Sequence, residues 1–397
     1  MPGKPAWFKE LFGFEEGGSF SATRDRFRLE GETLVCSSSP HPRQHVGPFD
    51  FASVDELRAR VAAAEAGAEA GAALGGLGFS HLPAPTGVVP LILDAANAGA
   101  VFQAASQFNC LEMTGPGVTP RAGVAIYFND PTQGPKCALA CPAATVYRNY
   151  LCLGGRGQDK RQLDGLADVG ALLGNADGAL WSMRNGYALP ATTKAMAALG
   201  KRLRDEPELA ARAHGALRVG VHWATQAKPP KTHRVAQVFA SACPVAYAKS
   251  TKSEDWEPFA RLVLRAAYDA TLLAARAIAA EERRRVRVYL TALGGGAFGN
   301  RVHWITDAIA AALDEHRDAP LDVFHVHYGT RVDRDYSHAL PLRRAPAPGA
   351  AAGVGGAATS PAAPDADQGS AEAAPSAAAP TADCAANGDG GSSSVEA

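Results

Sequence analysis

The sequence lacks long apolar runs. Although 47% of its 397 residues are hydrophobic, no stretch of about 18 residues is free of a charge, a glycine or a proline, so no membrane-spanning helix is predicted. Residues 1–16 lack the basic and then apolar pattern and the small-residue cleavage site of a signal peptide. Pro2 stands where a myristoylation signal has glycine. These absences predict a cytoplasmic or nuclear protein without a membrane partner.

An excess of charge of one sign is also missing. The chain has 39 lysines and arginines against 40 acidic residues, for a net charge of -1. This balance excludes a globally basic nucleic-acid binder, so nucleic acid is not an expected partner.

Cysteines are few, and their number is odd. Seven cysteines without regular spacing do not form a disulfide framework. Cys137 and Cys141 have the helical spacing that could place both on one metal, but no second ligand pair lies nearby in sequence. Their small apolar neighbours favour buried core thiols.

The C-terminal tail lacks the residues that build a core. Residues 345–397 contain no lysine, arginine, leucine, isoleucine, methionine or aromatic residue. Such a segment cannot bury enough apolar surface to offset the entropy lost on ordering, so a disordered tail is predicted. Its charged residues are all acidic, which leaves the rest of the chain mildly positive and compatible with a phosphate-bearing ligand.

The remaining chain alternates predicted strands and helices. Strands are expected at Val88–Leu93, Ala100–Phe108, Cys137–Pro142, Val286–Leu293 and Leu321–Tyr328. This alternation is typical of an α/β protein with a central sheet covered by helices on both faces.

Three segments are predicted along the chain. Residues 1–79 form a helix and hairpin embellishment, 80–330 a nucleotide-binding α/β domain, and 331–397 a linker and the acidic tail. Ser53 with Glu56 is the pattern of a capping box that opens a helix. Asn185-Gly186 is a hairpin signal.

The most informative motif is a glycine-rich loop between the strand at Val286–Leu293 and a predicted helix. Glycine lets the backbone turn tightly and approach a ligand closely. The N–H groups of such a loop, with the helix that follows, make an anion site at the carboxyl end of a strand. A phosphate or diphosphate is the expected ligand. The predicted binding residues of the loop are Gly294, Gly295, Gly296, Ala297, Phe298, Gly299 and Asn300.

Two common nucleotide motifs fit this loop poorly. A dinucleotide fingerprint needs an acidic residue at the end of the next strand, and that strand ends in His325-Val326-His327-Tyr328. A phosphate loop needs Lys-Ser/Thr where Asn300 and Arg301 stand. A nicotinamide-dependent oxidoreductase therefore remains only an alternative, as does an interaction protein whose glycine loop is purely structural.

This part of the sequence resembles the second phosphate-binding loop of the macrodomain superfamily. The resemblance comprises the strand, the glycine loop with Phe298-Gly299, the following helix and the last strand. This superfamily includes ADP-ribose binders and poly(ADP-ribose) glycohydrolases. A second similarity lies in Ala100–Met113, where a strand runs into an asparagine-containing loop. The resemblance implies a macrodomain-like fold that binds an ADP-ribose-like nucleotide, free or attached to a protein.

The resemblance also implies roles for two side chains. Asn109 would bind the distal ribose hydroxyls, and Glu112 is the nearest candidate acid or base. The paired glutamates of the glycohydrolases are absent, so hydrolysis of a glycosidic or ester bond is left open beside binding. No metal and no cofactor is implied.

The segment after Pro142 adds polar residues to the predicted site. Thr145, Tyr147 and Arg148 follow a predicted strand end, where ligand groups collect. Arg148 could pair with a phosphate and Tyr147 could stack on a base. His325 and His327 share one face of the last strand, and they are interpreted as residues of the sheet face rather than metal ligands.

Overall fold

A computed structural model describes residues 6–67, 74–248 and 251–345 of the chain. From residue 346 onward, the tail predicted to be disordered lies outside the described residues. No helix among the described residues is both long enough and apolar enough to cross a membrane.

The strands of the described residues are β1 (Arg28–Glu30), β2 (Thr33–Val35), β3 (Arg43–His45), β4 (Phe49–Ser53), β5 (Gly78–Ala84), β6 (Val101–Ala105), β7 (Trp181–Arg184), β8 (Tyr187–Pro190), β9 (Arg218–Gln226), β10 (Arg234–Ala240), β11 (Val286–Leu290) and β12 (Leu321–Tyr328).

The helices are α1 (Trp7–Phe12), α2 (Phe20–Arg24), α3 (Val54–Ala66), α4 (Val89–Leu93), α5 (Gln133–Leu139), α6 (Pro142–Val146), α7 (Cys152–Gly155), α8 (Ala167–Leu173), α9 (Thr193–Asp205), α10 (Pro207–Ala216), α11 (Ser253–Glu282), α12 (Val302–Glu315) and α13 (Arg334–Ala339). A π-helical turn, Tyr147–Leu151, joins α6 to α7.

Seven strands form the central sheet, in the order β4-β9-β10-β6-β11-β12-β5. Strands β10, β6, β11, β12 and β5 run parallel, whereas β9 pairs antiparallel with both β10 and β4. The prediction of a mixed central sheet is therefore confirmed.

Helices cover both faces of this sheet because its parallel strands are apolar on both sides. On β11, Val286, Val288 and Leu290 belong to one buried cluster, which includes α11 and α12. Tyr289 belongs to the other, which includes α1, α5 and α6. Alternate residues of a strand point to opposite faces, so two cores lie on either side of the sheet.

Two local signals in the sequence are confirmed. Ser53 accepts a hydrogen bond from the Glu56 amide, and the Glu56 carboxylate accepts one from the Ser53 amide, which begins α3. Asn185 and Gly186 both have positive φ, 48° and 83°, in the turn between β7 and β8. This is the turn geometry that matches the twist of a hairpin.

Two predicted strands are wrong. Residues Val89–Leu93 form a helix with Pro90 in its first turn, and residues Gln133–Leu139 and Pro142–Val146 form two helices. Proline suits the start of a helix, where its missing N–H has no partner to lose. A short apolar run does not by itself distinguish a buried strand from a buried helix.

The division of the chain at residues 79 and 330 stays a prediction. Strand β4, within the predicted embellishment, is an edge strand of the central sheet. Arg343, within the predicted linker, forms a β-bridge with Phe79 beside β5.

Candidate functional site

A cavity of about 780 Å³ opens where β10, β6, β11 and β12 end. The residues at those strand ends that line it include Ala240, Ala105, Leu290 and Tyr328. In open α/β sheets, the carboxyl edge is where loops leave room for ligands. The volume is within the range of small-molecule sites.

The glycine loop forms one wall of the cavity. The amides of Gly295, Gly299 and Asn300 donate within the loop, to the carbonyls of Ala292, Gly296 and Gly294. The Asn300 side chain donates to the Cys243 carbonyl at 2.8 Å. These bonds fix the loop against the segment that follows β10.

Other amides of the loop are left open. Among the hydrogen bonds of the described residues, the backbone N–H groups of Gly294, Gly296, Ala297 and Phe298 donate to no acceptor. All four residues line the cavity. Gly294 has a φ of 68°, and a Cβ there would lie 2.4 Å from the Asn300 amide nitrogen, so glycine is required. The loop therefore offers donors to an anion without first breaking its own bonds.

Glu112, from the turn that follows β6, also lines the cavity and is 1% exposed. Neither of its carboxylate oxygens makes a hydrogen bond to another described residue. Burial raises the pKa of Glu112 well above its usual range, and the positive charge of Arg148 opposes this shift only in part. The nearby Ser106 hydroxyl donates to the Leu111 carbonyl at 3.2 Å. Burial therefore favours the protonated form of the Glu112 carboxyl group.

The turn from Ser106 to Met113 positions Glu112. Gln107 Oε1 accepts from the Met113 amide at 2.9 Å, and Asn109 Oδ1 accepts from the Leu111 amide at 3.1 Å. Tyr127 Oη accepts from the Glu112 amide at 3.0 Å. These bonds hold the backbone on both sides of the carboxylate.

Asn109 is buried beneath the turn and is not among the described residues that line the cavity. Its side-chain amide donates to Gln162 Oε1 at 2.9 Å. In the structure one N–H and the oxygen of this amide are bonded within the protein, and the oxygen holds the backbone of the turn. Its contact with a ribose stays a prediction.

Thr145, Tyr147 and Arg148 also lie away from the described cavity lining. Residues 142–151 form helical turns rather than a strand end, so these side chains enter the core. The Thr145 hydroxyl donates to the Ala138 carbonyl at 2.6 Å. The Tyr147 ring packs against the rings of Phe49 and His222.

Arg148 is fully buried beside the Glu112 turn. Its Nε donates to the Cys110 carbonyl at 2.9 Å, and its guanidinium carbon lies 3.5 Å from the centre of the Phe239 ring. Burial lowers the pKa of Arg148, and interactions with the neighbouring Tyr127 and Glu112 oppose that shift. The guanidinium lies in the core away from the cavity lining, and its positive charge offsets only part of the effect of burial on the pKa of Glu112.

Sequence reasoning missed several residues that line the cavity. Asp130 is half-buried, and its Oδ1 accepts bonds from the Thr132 amide and hydroxyl. Tyr187 donates to the Met113 carbonyl at 2.7 Å, and its ring contacts those of Tyr247 and Phe298. Only the Asn-Asp-Pro-Thr turn around Asp130 carries a local signal. The others come together through the fold.

Tyr328 ends β12 at the rim and is 83% exposed. Gly87 lies beside it, and a Cβ there would come within 3.7 Å of the ring. The ring therefore has one side packed near backbone and the rest open to the cavity, which suits stacking on a planar group.

The cysteines of the described residues are free and buried, as expected for core thiols. Burial raises the pKa of Cys137 to about 12 and that of Cys141 well above its usual range. Neither is a reactive thiolate.

No protein-family model matches the chain, and no curated protein matches it in sequence. Among solved structures, it is similar to the poly(ADP-ribose) glycohydrolase of Deinococcus radiodurans in complex with ADP-ribose. That match has 11% identity and a TM-score of 0.38, and it covers 74% of this chain and 94% of that chain.

The chain is also similar to the poly(ADP-ribose) glycohydrolase of Thermomonospora curvata. That match has 14% identity and a TM-score of 0.36, and it covers 73% of this chain and 83% of that chain. The complex of that enzyme with the inhibitor ADP-HPD matches equally. A likeness at this level does not carry activity from one protein to another.

Proposed function

We propose that the cavity binds an ADP-ribose-like nucleotide diphosphate, free or attached to a protein, and that Glu112 promotes hydrolysis of its glycosidic or ester bond. The observation that supports this most is the pairing of two walls. One wall has free backbone donors, and the other has a buried carboxyl group without a partner.

The diphosphate would lie against the glycine loop. The amides of Gly294, Gly296, Ala297 and Phe298 would donate to its oxygens, as backbone N–H groups do in other anion-binding loops. The loop is exposed around Gly295–Ala297, so the anion would reach it without opening the core.

Glu112 would act as a general acid. Because burial favours the protonated carboxyl group, Glu112 would donate its proton to the leaving oxygen as the bond to the ribose or acyl carbon breaks. A water molecule would then supply the hydroxyl group to that carbon, and its remaining proton would return to the Glu112 carboxylate. Asn109 and Arg148 would be positioning residues, since each acts on the Glu112 turn and lies away from the cavity lining.

Tyr328 would stack on the base or another planar group at the rim. An oxidoreductase is less well supported, because Asp322 lies at the start of β12 and pairs with Arg285 at 2.7 Å. No acidic side chain stands at the end of that strand to hold a ribose.

Calorimetric titration of the full chain with ADP-ribose, NAD and AMP tests the proposal. We expect ADP-ribose to bind, and Gly296→Glu to weaken its binding at least about 100-fold, since a like charge in the anion site costs several kcal/mol. A Cβ at Gly296 would meet no atom within 4 Å, and the residue is exposed, so the variant should fold.

Gly117→Glu is the matched control, because a Cβ at Gly117 also meets no atom within 4 Å and Gly117 does not line the cavity. It should leave the affinity unchanged. Indifference of the wild type to all three ligands would refute the nucleotide proposal, and preferential binding of NAD with reduction of the nicotinamide would favour the oxidoreductase.

A further inference from the structure

Three histidines cluster on the side of β12 that points away from the cavity. His325 and His327 alternate with Val326, which lines the cavity, so they lie on the other side of β12. His81 of β5 pairs in register with His325, although it lies 246 positions before His327 in the chain. We call these three residues the histidine cluster. Helix α13 contacts it through Tyr336, whose ring centre lies 4.8 Å from that of His325.

The geometry of the histidine cluster is close to that of a three-histidine metal site. One ring nitrogen from each residue lies within 4.8 Å of the others. The ring centres are 5.8, 5.0 and 4.5 Å apart. In a tetrahedral site with Zn–N bonds of about 2.0–2.1 Å, ring centres lie about 5 Å apart and ligating nitrogens about 3.3 Å apart. A small inward movement of the rings would therefore complete the site.

The hydrogen bonds of His81 fix the tautomer that a metal needs. His81 Nε2 lies 2.9 Å from the Leu340 carbonyl oxygen. A carbonyl only accepts, so Nε2 carries the hydrogen and the lone pair of Nδ1 faces the histidine cluster. Metal-bound histidines characteristically donate their other N–H to such an acceptor.

His327 is bonded differently. Its Nδ1 accepts from the Asp333 amide at 3.3 Å, and its Nε2 lies 2.9 Å from His81 Nδ1. Without a metal, Nε2 donates to His81. If a metal binds Nε2, the hydrogen moves from Nε2 to Nδ1, so no proton is released overall. The long hydrogen bond from the Asp333 amide to Nδ1 is then lost.

His325 is the observation that points to a ligand. It is 1% exposed, and neither of its ring nitrogens has a hydrogen-bond partner among the described residues. Leaving a buried polar group unpaired costs about 1–3 kcal/mol. A metal ion would give one of the two ring nitrogens a partner.

We propose that His81, His325 and His327 bind one Zn²⁺ ion. Three neutral imidazoles in a near-tetrahedral arrangement suit this ion, and a water molecule would take the fourth position. The ion would join β5 to β12 beneath α13. This proposal does not rest on the proposed nucleotide function, because the two sites lie on opposite faces of β12.

The test is titration of the chelator-treated full chain with Zn²⁺ and, separately, with Co²⁺. We expect one equivalent to bind, and Co²⁺ to give visible absorption bands of a tetrahedral site without a thiolate charge-transfer band. His81→Gln and His325→Gln should each weaken Zn²⁺ binding at least about 100-fold, since even loss of a supporting partner costs 10–100-fold. His338→Gln, on the exposed side of α13, is the matched control and should bind like the wild type.

Two results would overturn the proposal. One is a wild-type protein that binds no stoichiometric Zn²⁺. The other is undiminished binding by a variant with all three histidines replaced by glutamine, which would place the ion elsewhere. Thermal unfolding of each variant without metal shows whether it is folded, which separates loss of binding from loss of fold. The Co²⁺ spectrum of the wild type tests the site even if a variant does not fold.

Discussion

The two walls of the cavity use opposite physical means. The glycine loop presents backbone amides at an exposed surface, and the close approach of the Asn300 side chain requires glycine at position 294. The Glu112 turn presents one side chain from a buried position, held by Gln107, Asn109 and Tyr127. A backbone site costs little to keep open, because water solvates its free amides. A buried carboxyl group without a partner destabilises the fold and is retained where chemistry uses it.

The largest expected effect is a loss of hydrolysis, without a matching loss of binding, when Glu112 is replaced. Glu112→Gln keeps the shape of the side chain and removes its proton donor. We expect hydrolysis of ester-linked or glycosidically linked ADP-ribose to fall by roughly 10²–10⁴-fold, the usual contribution of a general acid, while ADP-ribose affinity changes much less. Single-turnover kinetics and calorimetry on the same variant measure the two effects. Full turnover by Glu112→Gln would assign the chemistry to another group.

A second prediction concerns the contact between α5 and the buried wall. A Cβ at Gly134 would lie 1.7 Å from the Ala105 carbonyl oxygen and 2.5 Å from Glu112 Oε2. Gly134→Ala should therefore force α5 away from the end of β6 and lower the free energy of unfolding by about 2–3 kcal/mol. Gly115→Ala, which meets no atom within 4 Å, is the control in urea unfolding. Equal stability of the two variants would contradict this packing.

The pH dependence of stability tests the buried carboxyl group directly. The pKa of Glu112 is raised in the folded protein, so the folded state holds its proton more tightly than the unfolded state. The free energy of unfolding is therefore unaffected by Glu112 ionisation below the pKa of about 4.3 that a glutamate has in the unfolded chain. It falls as the pH rises from there towards the raised pKa of the folded protein.

Glu112→Gln removes this dependence. We expect the variant to exceed the wild type in unfolding free energy by an amount that grows between about pH 4 and pH 7 and is on the order of 1–3 kcal/mol, the cost of an unpaired buried group. Chemical denaturation at several pH values measures the difference. A constant difference across this range would show that Glu112 ionises normally.

The smallest expected effect is at the rim. Tyr328→Ala should weaken ADP-ribose binding about tenfold, since stacking of one base contributes about 1–3 kcal/mol. Phe128 is also exposed, at 53%, and does not line the cavity, so Phe128→Ala is the matched control. Calorimetry that finds the two variants equal would exclude Tyr328 as a stacking surface.

Prediction from sequence succeeded where the signal was local. The strand at Leu321–Tyr328 was predicted with its observed bounds, and the glycine loop lies between a strand and a helix as expected. It failed for residues 133–146, where apolar runs interrupted by proline form two helices. The contact of Arg148 with a ligand stays a prediction, and in the structure this side chain lies against Cys110 and Phe239.

The sequence alone determined the strand, the glycine loop and the following helix, because neighbouring residues set backbone conformation. The tertiary structure decided which groups were left without partners. Glu112 packs against Gly134 of α5, and the histidine cluster depends on strand β5 from a distant part of the chain. Burial and pairing arise from distant parts of the chain, so no local pattern could have shown them.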